Sequence, residues 1–178
     1  MGSEMCIRDS NNLGELAFAA GDAAKAESYF KQAASKNANA PEVNANLGLC
    51  ELVKGNVAAA ESYLGKATGA NAANEALGNL YIKQGQYDRA VNAFGDAKTN
   101  SAAQAQILAK DYNKAKATLS AIKNPDAMTD YLMAIVGART NNASLVSSSI
   151  KSAIAKDASM AQRAANDREF AKFADSIK

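Results

Sequence analysis

A repeat with a period near 34 residues most constrains how this chain folds. Asn-Leu-Gly occurs at residues 12–14 and again at 46–48, a spacing of 34 residues, and Leu77-Gly78 repeats its core 30 residues later. Periods of roughly 20 to 50 residues are typical of arrays in which each unit buries its apolar face against its neighbours. We therefore expect a stack of similar units rather than one layered core.

Further positions recur at fixed distances after each of these glycines. A second glycine follows seven residues later, a small residue five residues after that, then a large apolar residue and another alanine. These positions hold Gly21, Gly55 and Gly85; Ala26, Ala60 and Ala90; Phe30, Leu64 and Phe94; and Ala33, Ala67 and Ala97. Five aligned positions in three copies establish a sequence repeat.

Two degenerate copies follow, in which Lys110 and Asn141 replace the turn glycine. Asparagine is the residue that, after glycine, best tolerates a positive φ. Apolar positions at matching offsets include Ala115 and Leu119 in the fourth copy and Val146 and Ile150 in the fifth. The predicted units are residues 11–38, 41–70, 72–99, 101–123 and 125–156.

Each unit is predicted to be a helix, a short turn and a second helix. In the second unit, apolar residues spaced three or four apart lie on both sides of Lys54-Gly55-Asn56, which is the pattern of two amphipathic helices. Pro41, and Pro125 with Asn124 as N-cap, predict two helix starts. We expect the glycines at positions such as Gly14 and Gly48 to let the first helix nearly touch the second, facing the recurring alanines.

This pattern resembles the tetratricopeptide repeat family over about residues 10 to 156. The resemblance implies an all-α fold, an α-solenoid in which helix pairs stack into a right-handed superhelix and the first helices line a concave groove. The family's bulky residue in the middle of the first helix is kept only as Tyr81. Ala17, Glu51, Gln106 and Gly137 occupy the other copies, and we expect a loosely filled seam there.

The two ends of the chain do not follow the repeat. Residues 1–10, MGSEMCIRDS, match neither the repeat nor a signal peptide, and we predict a non-native or disordered leader, from a tag or a sequencing artefact. Residues 157–178 are predicted to form one or two capping helices with Met160, Ala164, Phe170 and Phe173 as apolar positions, because the last unit of a solenoid needs a cover.

Composition argues against several classes of function. The chain has no histidine and two cysteines, which removes the commonest general base and leaves too few ligands for a cysteine zinc site. Two Ser-x-x-Lys pairs, at Ser28 and Ser148, lack the accompanying motifs of serine–lysine enzymes. We therefore predict no enzyme, no cofactor, no metal site and no small-molecule substrate.

The charges of the chain bear on its partners. Twenty basic and eighteen acidic residues are interspersed and give a net charge of +2, whereas nucleic-acid binders usually carry a basic stripe. Its longest apolar run is far shorter than the roughly 20 residues of a membrane helix. We expect a protein or peptide partner, no nucleic acid and no direct membrane insertion.

The resemblance places function in the concave groove. Its exposed side is predicted to carry amide, weakly charged and apolar residues: Asn11, Glu15, Asn46, Leu49, Glu75, Asn79, Lys83, Gln104, Tyr131 and Ile135. Such a surface suits an extended peptide or a partner helix. The main hypothesis is a protein–protein interaction scaffold. The alternative is a structural spacer or self-association module of a larger bacterial cell-envelope protein.

The cellular compartment depends on the same resemblance. The Asn/Ala/Lys-rich repeats and the closing Asp-x-Glu-Phe-Ala-Lys-Phe of residues 167–173 resemble repeat tails of Gram-negative cell-envelope proteins. If the chain is an N-terminally truncated fragment of such a protein, the periplasm or cell envelope is favoured over the cytoplasm.

Overall fold

The computed structural model describes residues 2–67 and 69–176, and no strand occurs among them. The helices are α1 (Gly2–Ala19), α2 (Ala23–Lys36), α3 (Pro41–Val53), α4 (Val57–Lys66), α5 (Asn71–Lys83), α6 (Tyr87–Phe94), α7 (Asn100–Leu108), α8 (Tyr112–Ser120), α9 (Ala127–Arg139), α10 (Ala143–Lys156) and α11 (Ser159–Asn166), followed by a 3-10 helix, Arg168–Ser176. The all-α prediction is confirmed. Since α1 begins at Gly2, residues 2–10 are helical rather than disordered.

The chain forms two compact units, one ending at Leu80 and the other beginning at Tyr81. In the first unit α1 packs against α2 and α3 against α4, while in the second α7 packs against α8 and α9 against α10. Each is a pair of helices joined by a short turn, as the repeat predicts. Several small apolar clusters, rather than one thick core, lie between neighbouring helices.

The turns inside the repeats share one hydrogen-bond pattern. In the second repeat, the backbone N–H of Gly55 donates to Leu52 O (3.1 Å) and that of Asn56 to Glu51 O (2.8 Å). The same pair of bonds recurs at the equivalent residues of the other four repeats, and each turn residue has a positive φ: Gly21, Gly55, Gly85, Lys110 and Asn141. This is a Schellman-type helix end, so Lys110 and Asn141 are structural equivalents of the glycines.

The first helix approaches the second most closely at the glycines. A Cβ built on Gly48 would lie 2.6 Å from Leu64 Cγ, and one built on Gly14 would lie 2.3 Å from the Phe30 ring. The expected close approach is confirmed, but the nearest side chains are these large residues, whereas we expected the alanines. Phe30 also packs with Val43 of the next repeat, so one side chain fills both gaps.

Helix starts follow the sequence signals in part. Pro41 is the first residue of α3, as predicted, and Ala40 is its N-cap. The predicted start at Pro125 was wrong. Helix α9 begins two residues later, at Ala127, because Asp126 and Thr129 form a capping box in which each side chain accepts a hydrogen bond from the other residue's backbone N–H.

The seam beside the middle of the first helices is not loosely filled in the second repeat, contrary to expectation. Glu51 is 7% exposed, and its two carboxylate oxygens accept hydrogen bonds from Lys54 Nζ (2.7 Å) and Asn56 Nδ2 (2.8 Å). Lys54 also pairs with Glu27 of α2 at 2.6 Å. A hydrogen-bonded ion cluster therefore replaces the bulky apolar residue.

The C-terminal helices cover the last repeat, as predicted. Met160, Ala164, Phe170 and Phe173 are all buried and pack in one cluster with Tyr131 and residues of α10. Residues 177 and 178, which the predicted capping segment includes, lie outside the described residues. Within the part of the chain that is described, no helix combines the length and the apolar character required to cross a bilayer.

Candidate partner-binding surfaces

Three of the predicted groove residues form one hydrogen-bonded group on the first unit, here called the amide cluster: Asn11, Glu15 and Asn46. Asn11 Nδ2 donates to Glu15 Oε1 (2.7 Å) within α1. Asn46, one repeat later on α3, donates to Asn11 Oδ1 (3.0 Å) and to Glu15 Oε1 (3.2 Å). The cluster therefore joins the first helices of two neighbouring repeats at the surface.

Four further predicted groove residues lie on first helices without a hydrogen bond that defines a site. Leu49 of α3 and Asn79 of α5 are half-buried, and Glu75 of α5 is exposed. Lys83 is exposed in the last turn of α5, where a cation suits the negative end of the helix dipole. The structure leaves all four side chains at least partly accessible.

The exposure predicted for Tyr131 was wrong. Its side chain is 1% exposed because the C-terminal segment covers it. Phe170 packs edge-on to its ring at a centroid distance of 5.5 Å, and the hydroxyl donates to Asp167 Oδ2 at 2.5 Å. Burial and this carboxylate raise the pKa of Tyr131 to about 12.

Beside Tyr131 the second unit contains a cleft of about 400 Å³, here called the terminal cleft. Its walls are α7 and α9, the first helices of the last two repeats, together with Arg163 and Glu169 of the C-terminal segment. Among its lining residues are Gln104, Tyr131 and Ile135, three of the predicted groove residues. A volume of this size is in the range of small ligand-binding pockets.

Two arginines define the polar side of the terminal cleft. The guanidinium of Arg163 lies over the Tyr131 ring, 4.6 Å from its centroid, and Arg139 forms an ion pair with Glu169. Sequence reasoning missed Arg163 and Glu169 because it assigned residues 157–178 only a covering role, and it did not place Arg139 among the groove residues. The signal available was charge, since Arg163 and Glu169 stand among the apolar positions of an amphipathic segment.

Residues of the two Ser-x-x-Lys pairs make contacts within their own helices. Ser148 Oγ donates to Leu145 O within its own helix, and Lys31, the partner of Ser28 in the sequence, pairs with Glu27. Cys50 is buried, which raises the pKa of its thiol. Among residues 2–67 and 69–176, no group of three Cys, Asp or Glu residues is placed to hold a metal ion.

Comparison with known proteins identifies the repeat. Two sequence profiles described as tetratricopeptide repeat match the chain, one over residues 17–81 and the other over residues 72–102. Residues 17–102 of the chain are therefore tetratricopeptide repeats. A search of curated protein sequences gave no match.

Solved structures show the same tetratricopeptide fold. A tetratricopeptide repeat protein from Parabacteroides merdae is similar over 97% of this chain and 77% of its own, with a TM-score of 0.75 and 17% identity. Pseudomonas aeruginosa pilF is similar over 99% of this chain and 89% of its own, with a TM-score of 0.74 and 12% identity. YrrB is described as a tetratricopeptide repeat protein with an unusual peptide-binding site. It is similar over 87% of this chain and 89% of its own, with a TM-score of 0.67 and 17% identity. At these identities the likeness concerns the fold alone.

The family also accounts for the surfaces described above. Tetratricopeptide repeats usually serve as protein-interaction scaffolds, and the fold supports that role here. The amide cluster lies where the first helices of two successive repeats meet, and the terminal cleft lies between two such helices and the C-terminal segment. In repeat proteins such stacked surfaces are the usual sites of partner binding.

Proposed function

We propose that this tetratricopeptide chain is a scaffold that binds an extended peptide, or a helix of a partner protein, on the exposed side of its first helices, without catalysis. The observation that carries the proposal is the bond from Asn46 to Asn11 and Glu15. It holds amide groups of adjacent repeats at the surface in a fixed arrangement. Amides both donate and accept hydrogen bonds, which suits the peptide groups of an extended ligand.

The distribution of side chains along the first helices supports a proteinaceous ligand. Leu49 and Ile135 offer partly exposed apolar contacts, and Asn79 and Gln104 offer further amides. The charges on this surface are few and of both signs, which is unfavourable for nucleic acid. YrrB, which shares the fold, is a peptide-binding member of the family by its description.

A peptide-display selection on the immobilised chain tests the proposal. Random peptides are selected on the wild type, and their affinities are then measured for a variant carrying Asn46→Ala and Asn79→Ala together, two amides of the first unit. We expect binding to fall about tenfold or more, since loss of several hydrogen bonds of about 1 kcal/mol each is additive over separated sites. Tyr131 is left intact because it is buried.

The matched control carries Asn92→Ala and Asn113→Ala, two exposed amides on the second helices α6 and α8. It removes the same kind of side chain from the opposite helix of the repeat. If the selected peptides bind both variants as they bind the wild type, the first-helix surface is not the binding site. A chain that selects no peptide at all contradicts the scaffold proposal as a whole.

We also propose self-association as the second candidate function, and one observation favours it. Leu13 and Leu16 of α1 are 47% and 68% exposed and lie three residues apart, on one side of the helix. Light scattering after gel filtration tests this directly. A concentration-dependent oligomer that becomes monomeric in Leu16→Glu supports self-association, whereas a monomer at every concentration rules it out.

A further inference from the structure

The terminal cleft contains a feature that amide-based peptide binding does not explain, namely two guanidinium groups at the edge of an apolar floor. Of the charged residues that line it, Arg139 and Arg163 are cationic and only Glu169 is anionic. Glu169 is already paired with Arg139. The lining is therefore positive by one charge, and Arg163 is the lining cation that Glu169 does not neutralise. Asp167, outside the lining, is a further anion near Arg163, and its carboxylate accepts the hydrogen bond of the Tyr131 hydroxyl.

We propose that the terminal cleft binds an acidic peptide segment, in which an apolar side chain fills the cleft and an adjacent internal Asp or Glu pairs with Arg163. This inference rests on the proposed scaffold function and specifies the ligand for one of its surfaces. It concerns side-chain carboxylates within a peptide.

The floor of the cleft suits the apolar side chain. Ile107 and Leu132, which are 8% and 7% exposed, line the cleft together with the half-buried Ile135. A cleft of about 400 Å³ accommodates a leucine, isoleucine or phenylalanine together with part of the neighbouring backbone. Burying such a side chain is the main favourable contribution to binding at a small site.

The geometry of Arg163 suits the carboxylate. Its guanidinium lies over the Tyr131 ring, 4.6 Å from the ring centroid, and the planar N–H donors of a guanidinium match the two oxygens of a carboxylate. Tyr131 is itself fixed by Asp167 and Phe170. The cation is therefore held in one place before the ligand arrives, which lowers the entropy cost of binding.

Gln104, exposed on α7, lines the same cleft and supplies an amide for the backbone of the ligand. An extended segment that crosses from α7 to α9 can thus place its backbone against Gln104, its apolar side chain over Ile107 and its carboxylate at Arg163. A basic peptide meets like charge at that end. A neutral peptide loses the charge-assisted hydrogen bond.

Titration of the ¹⁵N-labelled chain followed by NMR tests the proposal, because it detects weak binding and locates it. The probes are N-acetylated, C-amidated peptides, Gly-Ser-Glu-Leu-Glu-Ser-Gly and its counterparts with Gln or Lys in place of both Glu. Capping both ends leaves the side chains as the only charges. We expect the Glu peptide to bind about threefold to tenfold more tightly than the Gln peptide, the range for a partly exposed charge-assisted pair.

Variants of Arg163 assign that preference to the proposed contact. Arg163→Gln should abolish it, and Arg163→Lys should weaken it, because an ammonium keeps the charge but not the planar pair of N–H donors. Lys151→Gln, which removes one charge from the exposed side of α10, should leave it intact. If Arg163→Gln does not fold, comparing the Glu and Gln peptides on the wild-type chain still tests the preference for a carboxylate. The preference should weaken as NaCl is raised, and the amide shifts should concentrate around Gln104, Ile135 and Arg163.

Failure of this inference differs from failure of the scaffold proposal. Three outcomes would overturn the proposal of an acidic ligand: equal binding of the Glu and Gln peptides, a preference that survives Arg163→Gln, or tighter binding of the Lys peptide. The scaffold proposal would stand if display-selected peptides still bind the first helices. Shifts confined to the surface of Leu13 and Leu16 would also overturn it. Absence of binding by the probes and by every selected peptide would overturn both.

Discussion

The hydroxyl of Tyr131 donates a 2.5 Å hydrogen bond to the Asp167 carboxylate, 36 residues further along the chain. This bond joins the first helix of the last repeat to the start of the terminal 3-10 helix. It fixes the aromatic ring on which Arg163 rests. The C-terminal segment therefore does two things: it covers the apolar end of the last repeat, and it forms one wall of the terminal cleft.

Removing only the hydroxyl isolates the contribution of that bond. Tyr131→Phe keeps the ring and its edge-on contact with Phe170, so we expect a loss of roughly 1 kcal/mol in the free energy of unfolding. Urea denaturation measures it. Tyr112→Phe, at the half-buried start of α8, is the control, and equal losses in the two variants would contradict a specific role for the Tyr131–Asp167 bond.

The same bond predicts a dependence on alkaline pH. Burial and Asp167 raise the pKa of Tyr131 to about 12, because both favour the neutral phenol. The stabilisation is complete below pH 10, the ordinary pKa of an unfolded tyrosine, and is lost as the pH rises through about 12. Absorbance titration at the tyrosinate band should show an ionisation step near pH 12 that is absent in Tyr131→Phe.

Two glycine-to-alanine substitutions should have opposite effects in the second repeat. At Gly48 the new Cβ would lie 2.6 Å from Leu64 Cγ, so Gly48→Ala should destabilise the chain by about 1–3 kcal/mol through overpacking. A Cβ built on Gly65, near the end of α4, would meet open space outside its own helix backbone. Gly65→Ala should stabilise the chain by about 0.5–1 kcal/mol, since alanine loses less entropy in a helix.

Thermal melting of the two variants measures both effects on one scale. A melting temperature of Gly48→Ala at or above that of the wild type would show that Leu64 moves aside without cost, and the close contact would then not limit the choice of residue. Gly65→Ala serves as the control for the substitution itself.

The lysine in the fourth turn predicts a stabilising substitution to glycine. Lys110 has a φ of 64°, where Gly21, Gly55 and Gly85 stand in the first three repeats. The left-handed conformation costs a residue with a Cβ about 1–2 kcal/mol. After the entropy that glycine loses on folding is subtracted, we expect Lys110→Gly to gain about 0.5–1 kcal/mol.

The control for this prediction is Lys116→Gly, the same substitution at an exposed position inside α8. There glycine should destabilise the chain by about 1 kcal/mol relative to a good helix former. Chemical denaturation of both variants decides the point: a destabilising Lys110→Gly would mean that contacts of the lysine side chain outweigh the backbone conformation.

Much of the fold could be predicted from the sequence because the constraints are local. A turn residue with positive φ and a glycine under a large side chain are each specified by a few neighbouring residues, and they recur with the repeat, as at Gly55 and Gly48. The start of α9 was missed because two signals competed within three residues, and the hydrogen bonds of Asp126 with Thr129 outweighed the proline.

The candidate sites were less predictable, since they depend on contacts between distant segments. Asn11 and Asn46 were both assigned to the exposed side of first helices, and they are hydrogen-bonded to each other. Tyr131 was expected in the open groove, but nothing near it in the sequence indicates that Asp167 and Phe170 return to cover it. The role of Arg163 follows from that return and was missed for the same reason.

The ion cluster in the second repeat predicts a dependence on acidic pH. Lys54 and Asn56 lower the pKa of Glu51, and Lys31 and Lys54 lower that of Glu27. A carboxyl group whose pKa is lowered by folding stabilises the fold at pH values above its unfolded pKa, and this contribution disappears as the pH falls through the folded pKa. We therefore expect the melting temperature to be constant near neutral pH and to decrease when the pH is lowered below about 4.3, the pKa of an unfolded glutamate.

Glu51→Gln should melt at a lower temperature than the wild type at pH 7, and the difference should shrink at pH 3. Glu75→Gln, exposed on α5, is the control, and the same pH dependence in both variants would show that Glu51 does not supply the acid-sensitive contribution.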